Sequence, residues 1–405
     1  MAVVVTDLDL PSYRIGDLYR EPRGGKVDGQ WLVPYPAGFA VVDYEHVVSI
    51  MRDRRFHQAI MLLPETTRGA SDPRLLEVIE RRRSLLANQN GSDHERLRRI
   101  VAPAFTPKGV DRHRSFMREY LTARVEPLAA AGRADVVADI FHAYPVTVIC
   151  HLLGAPTDDW DVIATSAVDV LDVYSADVAS ATDRIVSGQR TLDDYLRDLV
   201  EQRRRQPADD LITDLVQASD EGDRLSIDEV VDIGVAMLIG GTETTRTQLA
   251  AAMHLFSLHP EQWDLLAENP DLAGPAVEEV MRMITIAVQM SRVASEDIEL
   301  DGVIFPKGTI VVTALVRGNH DPEQYPEPER FDITRKMSKP QLGFGTGMHT
   351  CLGAFIARAE MQEALKLLSA RWRDLRPVGE PPWKSLRAAS WGPEEVTVTF
   401  RDVGA

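Results

Sequence analysis

The sequence predicts a mainly α-helical protein with a minor β region, and three observations carry that expectation. Helical periodicity dominates from Asp43 to about Glu279, broken at Pro103, Pro107, Pro156, Pro207, Pro260 and Pro270, and proline is rarely accommodated inside a helix. One uninterrupted pattern runs from Ser226 to His259, long enough to span ~50 Å at 1.5 Å per residue. Strand patterns are confined to the segment before Asp43, to residues 293–315 and to a terminal EVTVTF. No strand-helix alternation of the dinucleotide-binding kind is visible.

Composition narrows the function classes. The 405 residues are 44% hydrophobic and 26% charged, ordinary for a globular enzyme and unlike a disordered or fibrous chain. Lys+Arg number 45 against 62 Asp+Glu, a net charge of −17 that repels nucleic acid and anionic membranes at long range. Two cysteines, Cys150 and Cys351, cannot build a disulfide framework, which points to a reducing compartment. MAVVVTDLDLPSYR lacks a basic region ahead of an apolar run, and Val230–Gly241 is interrupted by Asp232. Neither a secretory leader nor a membrane anchor is expected, and the reading is a cytoplasmic monomer folded as a single domain over residues 1–405.

The elements follow in order. WLVPYPAGFAVVD reads as two strands and a turn. The long helix opens on Ser226-x-x-Glu229, a capping box, and stops at Pro260. DIEL and VIF flank Asp301-Gly302, a two-residue hairpin signal, and TIVVT follows Pro306-Lys307-Gly308. The Pro-rich DPEQYPEPERFD leads to a Gly-rich loop, the helix AFIARAEMQEALKLLSARW and the terminal strand.

Two places carry chemistry. The middle of the long helix is apolar nearly all round, hence buried, yet holds Gly240-Gly241-Thr242-Glu243-Thr244-Thr245. Each glycine there costs ~1 kcal/mol relative to alanine. A packing notch would account for them, and so would an opening where a small ligand meets the helix, with Thr244 one turn from Gly240. The second place is Phe344-Gly345-Thr346-Gly347-Met348-His349-Thr350-Cys351-Leu352-Gly353 before a helix. A thiolate near a helix start could serve as nucleophile or metal ligand. Zinc would need further Cys or His nearby, a nucleophile would want a base such as His349, and an axial haem ligand needs only one Cys.

FGTGMHTCLG resembles the haem-binding loop of the cytochrome P-450 family, F-G-x-G-x-H-x-C-x-G, at every fixed position. Gly240–Thr245 is similar to that family's oxygen-binding helix motif and Glu279-Val280-Met281-Arg282 to its E-x-x-R, in the right order. The resemblance implies a long central helix over a haem b whose iron is held by Cys351, with Phe344, Gly345 and Gly353 framing the loop. It implies propionate contacts from His94, Arg98, Arg292 and His349; His94 and Arg98, four apart, share a helix face. Gly240 and Gly241 would leave room for dioxygen, Thr244 would hydrogen-bond it and Glu243 would relay protons. Glu279 and Arg282 would be structural, in a buried network with an Arg or His of the Pro-rich segment. That segment reads Asn319-His320-Asp321-Pro322 where N-R-D-P is common, so the third partner is open. Gly91-Ser92-Asp93 replaces a frequent D-P-P before the His94 helix.

The implied activity is monooxygenation: hydroxylation or epoxidation of a mid-sized, largely apolar molecule such as a terpenoid, steroid or macrolide intermediate. No flavin or nicotinamide segment is visible, so a ferredoxin and its NAD(P)H-dependent reductase would supply two electrons. Arg99, Lys336 and Lys339 would form a basic docking face. Desaturation, oxidative coupling or peroxide-driven oxidation is the alternative, and a non-turnover haem-binding or recruiting protein a further one, against which the presence of Cys351 speaks. By the resemblance, substrate would meet Leu86, Asn88, Ala236, Ile239, Ala287 and Val288, with Asn88 or Gln89 as a polar handle.

Overall fold

In the computed structural model the long apolar pattern is one helix, Ile227–Leu258, of 32 residues. Ser226 Oγ accepts from Glu229 N–H and the Glu229 carboxylate accepts from Ser226 N–H, closing the expected capping box. Such a cap contributes on the order of 1 kcal/mol. The structure describes residues 2–8, 10, 24–36, 38–59, 71–174, 178–220, 225–385 and 390–404. Ala37 of the first expected turn, and residues 1, 9 and 11–14 of the N-terminal stretch read as lacking a leader, lie outside them.

The central helix is buried because it is apolar all round. Val230, Val231, Ile233, Val235, Leu238 and Ile239 enter the largest core cluster from opposite sides. Around it pack helices Tyr144–Leu153, Thr182–Arg205, Ala273–Met283 and Ala354–Arg371. Several prolines read as breaks stand at first-turn positions, where a missing N–H costs nothing: Pro107 and Pro260 each start a helix.

The β region forms three small sheets. Five strands lie in the order β2 (Leu32–Tyr35), β3 (Gly38–Val41), β9 (Ile310–Thr313), β6 (Met290–Ala294), β4 (Phe56–Gln58). β2 and β3 are the expected hairpin, and β3 runs parallel to β9. β7 (Ile298–Leu300) and β8 (Val303–Phe305) pair across Asp301-Gly302, whose φ values of 46° and 78° fit a two-residue hairpin turn. The short β1 (Val3–Val4) adds to β8 in parallel. The terminal strand β11 (Thr397–Asp402) lies between β10 (Trp372–Pro377) and β5 (Arg133–Asp135). A second core cluster joins the five-stranded sheet to helix Tyr44–Arg52. Among the described residues no helix is long and apolar enough to cross a membrane.

Candidate active site

The cysteine loop folds against helix Tyr44–Arg52. Gly345 and Gly347 adopt φ of 66° and 76°, and a Cβ on Gly347 would lie 2.4 Å from the Met51 carbonyl oxygen, so neither position readily takes a side chain. The Phe344 carbonyl accepts the Cys351 N–H at 2.8 Å, which closes the loop. Arg358 stacks over the Phe344 ring at 4.3 Å and pairs with Glu278. Gly353 is different: its φ is ordinary, and a Cβ would meet only Ile356 and Cys351 Sγ, the latter at 4.0 Å. Nothing in the protein itself demands a glycine beside the sulfur.

Cys351 is accessible, whereas Cys150 is buried in the main core with its thiol pushed up to about 12 by burial. The helix after the loop begins only at Ala354, with Gly353 as its cap, so Cys351 lies outside the first turn. Cys351 thus sits just before a helix start, as the sequence indicates, but that position does not by itself make a thiolate. Although part of its surface is open, the protein packed around the Cys351 sulfur keeps enough water away to raise its thiol, and the Gly353 N–H, Arg98 and Arg358 oppose that rise without overcoming it. Metal coordination would deprotonate it outright.

Beside the loop lies a set of cationic groups and imidazoles. His94 and Arg98 come from helix Gly91–Val101, and Arg98 Nη2 donates to the Thr350 carbonyl at 2.7 Å. The His94 and His349 ring centroids are 4.5 Å apart, and among the described residues none of their four ring nitrogens has a hydrogen-bond partner. Arg292 is delivered by β6, opposite Gln58 of β4, and Nη1 donates to Gln58 Oε1 at 2.7 Å. Gln58 N–H in turn donates to Asn90 Oδ1 at 2.8 Å, which ties the start of the His94 helix to the sheet where Gly91-Ser92-Asp93 departs from the familiar pattern.

Among the described residues, none of these four side chains is ion-paired with a carboxylate. Burial alone pushes Arg292 down to about 10. His349 is pushed down to about 3, first by burial and then by Arg292, His94, Arg98 and His57. An uncompensated buried cation costs several kcal/mol, so the arrangement fits a bound group that brings its own carboxylates next to a cysteine. A haem with two propionates meets that description.

On the central helix the two glycines separate. A Cβ on Gly241 would stand 2.5 Å from Ile149 Cγ1, so this glycine is a packing notch against helix Tyr144–Leu153. A Cβ on Gly240 would meet nothing within 4 Å, and this glycine is an opening. Thr244 Oγ1 donates back to the Gly240 carbonyl at 2.5 Å. Glu243 is not free beside that opening: its buried carboxylate accepts from Lys384 Nζ, Arg246 Nη2 and, at 3.2 Å, Thr247 Oγ1. Lys384 Nζ also donates to Thr247 Oγ1 at 2.5 Å. The carboxylate expected to relay protons is thus held one turn away from Gly240 by two cations.

The other expected residues fall unevenly. Ile239 is buried in the core, and Leu86, Ala236, Ala287 and Val288 are half-buried. Asn88 is already engaged, its Nδ2 donating to the Arg82 carbonyl at 2.8 Å. Glu279 and Arg282 are fully buried and doubly bonded at 2.8 Å. Their third partner is Arg335, whose Nε donates to Glu279 Oε1 at 3.1 Å. His320 bonds the Val316 carbonyl instead and is pushed down to about 4, chiefly by burial. Of the basic trio, Arg99 and Lys336 are exposed and Lys339 pairs with Glu45.

Sequence reasoning missed Arg335, Lys384, Gln58 and Glu360. Glu360 is fully buried, with its pKa raised well above the carboxylate range by burial, and it neighbours Thr245. Its position within the apolar face of the last long helix was the available signal.

The chain matches the family model described as Cytochrome P450 over residues 39–382. It is 35% identical over 369 residues to nocardicin C N-oxygenase of Nocardia uniformis subsp. tsuyamanensis, covering 89% of both chains. It is 33% identical over 372 residues to luteothin monooxygenase of Streptomyces thioluteus, covering 91% of this chain and 90% of that one. The crystal structure of P450BioI in complex with an acyl carrier protein ligated to hexadec-9Z-enoic acid aligns with a TM-score of 0.83. That alignment has 30% identity and covers 94% of this chain and 95% of the other.

Proposed function

Because the chain belongs to the cytochrome P450 family, a family of haem-thiolate monooxygenases, we propose that Cys351 is its axial ligand and that it hydroxylates or epoxidises a mid-sized, largely apolar molecule. The observation that carries the reading is the acid-free cradle of His94, Arg98, Arg292 and His349 beside the accessible Cys351. Those four side chains would hold the propionates, and Gly353 would let the porphyrin come close to the sulfur. The bound haem supplies the oxygen-activating chemistry, with a thiolate ligand that favours O–O cleavage.

The protein's own part is positioning and proton supply. Gly240 keeps a side chain away from the place where dioxygen would lie against the helix. The Thr244 hydroxyl, parked on the Gly240 carbonyl, can turn its hydrogen toward an oxygen atom there at the loss of one back-bond. Once its side chain leaves Lys384 and Arg246, Glu243 can take up a proton from solvent water and pass it to that hydroxyl, returning to the carboxylate. A ferredoxin reduced by an NAD(P)H-dependent reductase would deliver the two electrons at the exposed Arg99 and Lys336.

The test is isotopic. Terpenes, steroids and macrolides that shift the ferric spin state are turned over under labelled dioxygen with a ferredoxin and its reductase. The product should carry one labelled oxygen atom. A product with none would move the reading to desaturation or coupling.

A further inference from the structure

Helix Pro73–Arg83 has a buried stripe of Leu75, Val78, Ile79 and Arg82, spaced as one helix face. Three of the four positions are apolar and pack with Val173, Val178, Ala181 and Ile185. The fourth is a cation. Arg82 is only 2% exposed, and among the described residues no carboxylate pairs with it. Its Nη2 donates to the Tyr174 hydroxyl oxygen at 2.9 Å, its Nη1 reaches Gln189 Oε1 at a long 3.4 Å, and its Nε has no partner among the described residues.

The preceding residue shows what a compensated arginine looks like here. Arg81 is bonded to both Asp193 and Asp232. Gln189, the neutral neighbour of Arg82, itself donates to Asp193 at 2.9 Å and so cannot bring more negative charge.

Counting hydrogens sharpens the anomaly. The Tyr174 oxygen accepts from Arg82 Nη2 and, at 3.4 Å, from Asn88 Nδ2, neither of which can accept its own hydrogen. Arg82 Nε–H and Tyr174 O–H are therefore both surplus donors among the described residues. The guanidinium also lies over the Tyr174 ring at 5.1 Å, polarising a hydroxyl on a half-buried residue. Asn88 beside it is half-buried too, so the cluster has an approachable side. Arg81, one residue away, holds Asp232, one helical turn before Ala236 on the central helix.

We propose that Arg82, Tyr174 and Asn88 form a carboxylate-recognition subsite, and that the substrate is an apolar molecule ending in a carboxylate. The carboxylate accepts from Tyr174 O–H, with the Arg82 charge behind it, and Asn88 Nδ2, whose hydrogens go to the Arg82 carbonyl and the Tyr174 oxygen, keeps that hydroxyl's own hydrogen turned outward. The net charge of −17 repels anions at long range, so this recognition has to be local. The inference rests on the haem-thiolate reading of the site, because it places the substrate's polar end relative to that centre.

The experiment titrates the haem-loaded protein with sodium tetradecanoate and with methyl tetradecanoate at neutral pH. Affinity is read by calorimetry and by the ferric spin-state shift. Wild type should bind the acid at least about tenfold more tightly than the ester, the scale of one hydrogen bond to a charged group. Arg82→Met should bring the ratio close to one, and Tyr174→Phe, which keeps the ring and the helix contacts, should lower it. Equal affinity for acid and ester in wild type, no acid binding, or an unchanged ratio in both variants would overturn the proposal. If Arg82→Met does not fold, Tyr174→Phe decides alone. Loss of the thiolate-type carbon monoxide band in wild type would instead sink the haem-thiolate reading.

Discussion

Two clusters of charged side chains are built in opposite ways. In the first, Glu279 takes two bonds from Arg282 and one from Arg335, and Arg282 also donates to the carbonyls of Asn319 and Pro328. Both cations share a carboxylate, and their further hydrogens go to backbone carbonyls inside the protein. In the second, His94, Arg98, Arg292 and His349 share neutral partners or none. A closed cluster holds the fold; an open one waits for a ligand. The closed cluster also supports the open one, because Asn319 Oδ1 accepts the Leu342 N–H at 2.7 Å at the start of the cysteine loop.

The comparison breaks most visibly on the closed side. Arg282→Met leaves the buried Glu279 with the Arg335 guanidinium and the Asp332 N–H, and removal of one partner of such a pair costs ~3–5 kcal/mol. Denaturant unfolding should show that loss with and without haem; an unchanged midpoint would mean the network is not structural.

The oxygen notch mixes the two designs, a closed Glu243 cluster beside an open Gly240. Glu243→Gln should slow dioxygen-dependent turnover on the order of 10²-fold, since an amide does not shuttle protons. Thr244→Ala should keep oxygen consumption while diverting electrons to hydrogen peroxide. Product per reduced nicotinamide, with peroxide quantified, reads both; wild-type rate and coupling in the pair would make the notch merely structural.

On the open side, Arg292→Met removes a cation that has no acid to lose. Apoprotein stability should stay within about 1 kcal/mol or rise, while haem affinity falls by roughly 2 kcal/mol, the worth of a hydrogen bond to a charged group. Melting of the apoprotein and haem transfer to apomyoglobin separate the two effects. Equal damage to both would erase the distinction.

The smallest effect concerns a pair that is closed only when charged. His46 stacks on Trp31 at 4.0 Å and lies 2.8 Å from Asp43 and 3.0 Å from Asp301. Burial lowers its pKa, but hydrogen bonding to Asp43 and the charges of Asp43 and Asp301 outweigh that, so the folded value is raised. The contribution is complete below the unfolded value near ~6.5 and is lost as pH rises through the folded one. Between about pH 6 and 8 wild type should lose on the order of 0.5–1 kcal/mol relative to His46→Gln. A pH-independent difference between their melting curves would contradict this.

Much of the site was legible because its signals are local. The loop Phe344–Gly353, the capping box at Ser226 and the His94/Arg98 spacing each lie within one element. What was not legible depends on chain crossings. Arg335 meets Glu279 and Lys384 meets Glu243 only after distant segments have packed. Gly240 and Gly241 are chemically identical neighbours, and only Ile149 tells the notch from the opening. β4 and β5, reading FHQ and RAD, are too short to show alternation and exist because β6 and β11 offer free edges.

The central claim is that Cys351 closes the open cluster by holding haem iron. The most direct measurement is the carbon monoxide difference spectrum of reduced wild type, Cys351→Ser and Cys150→Ser, each with its haem content determined. Wild type and Cys150→Ser should show the band typical of thiolate ligation, and Cys351→Ser should lack it. A thiolate band that survives in Cys351→Ser, or disappears in Cys150→Ser, would contradict the account.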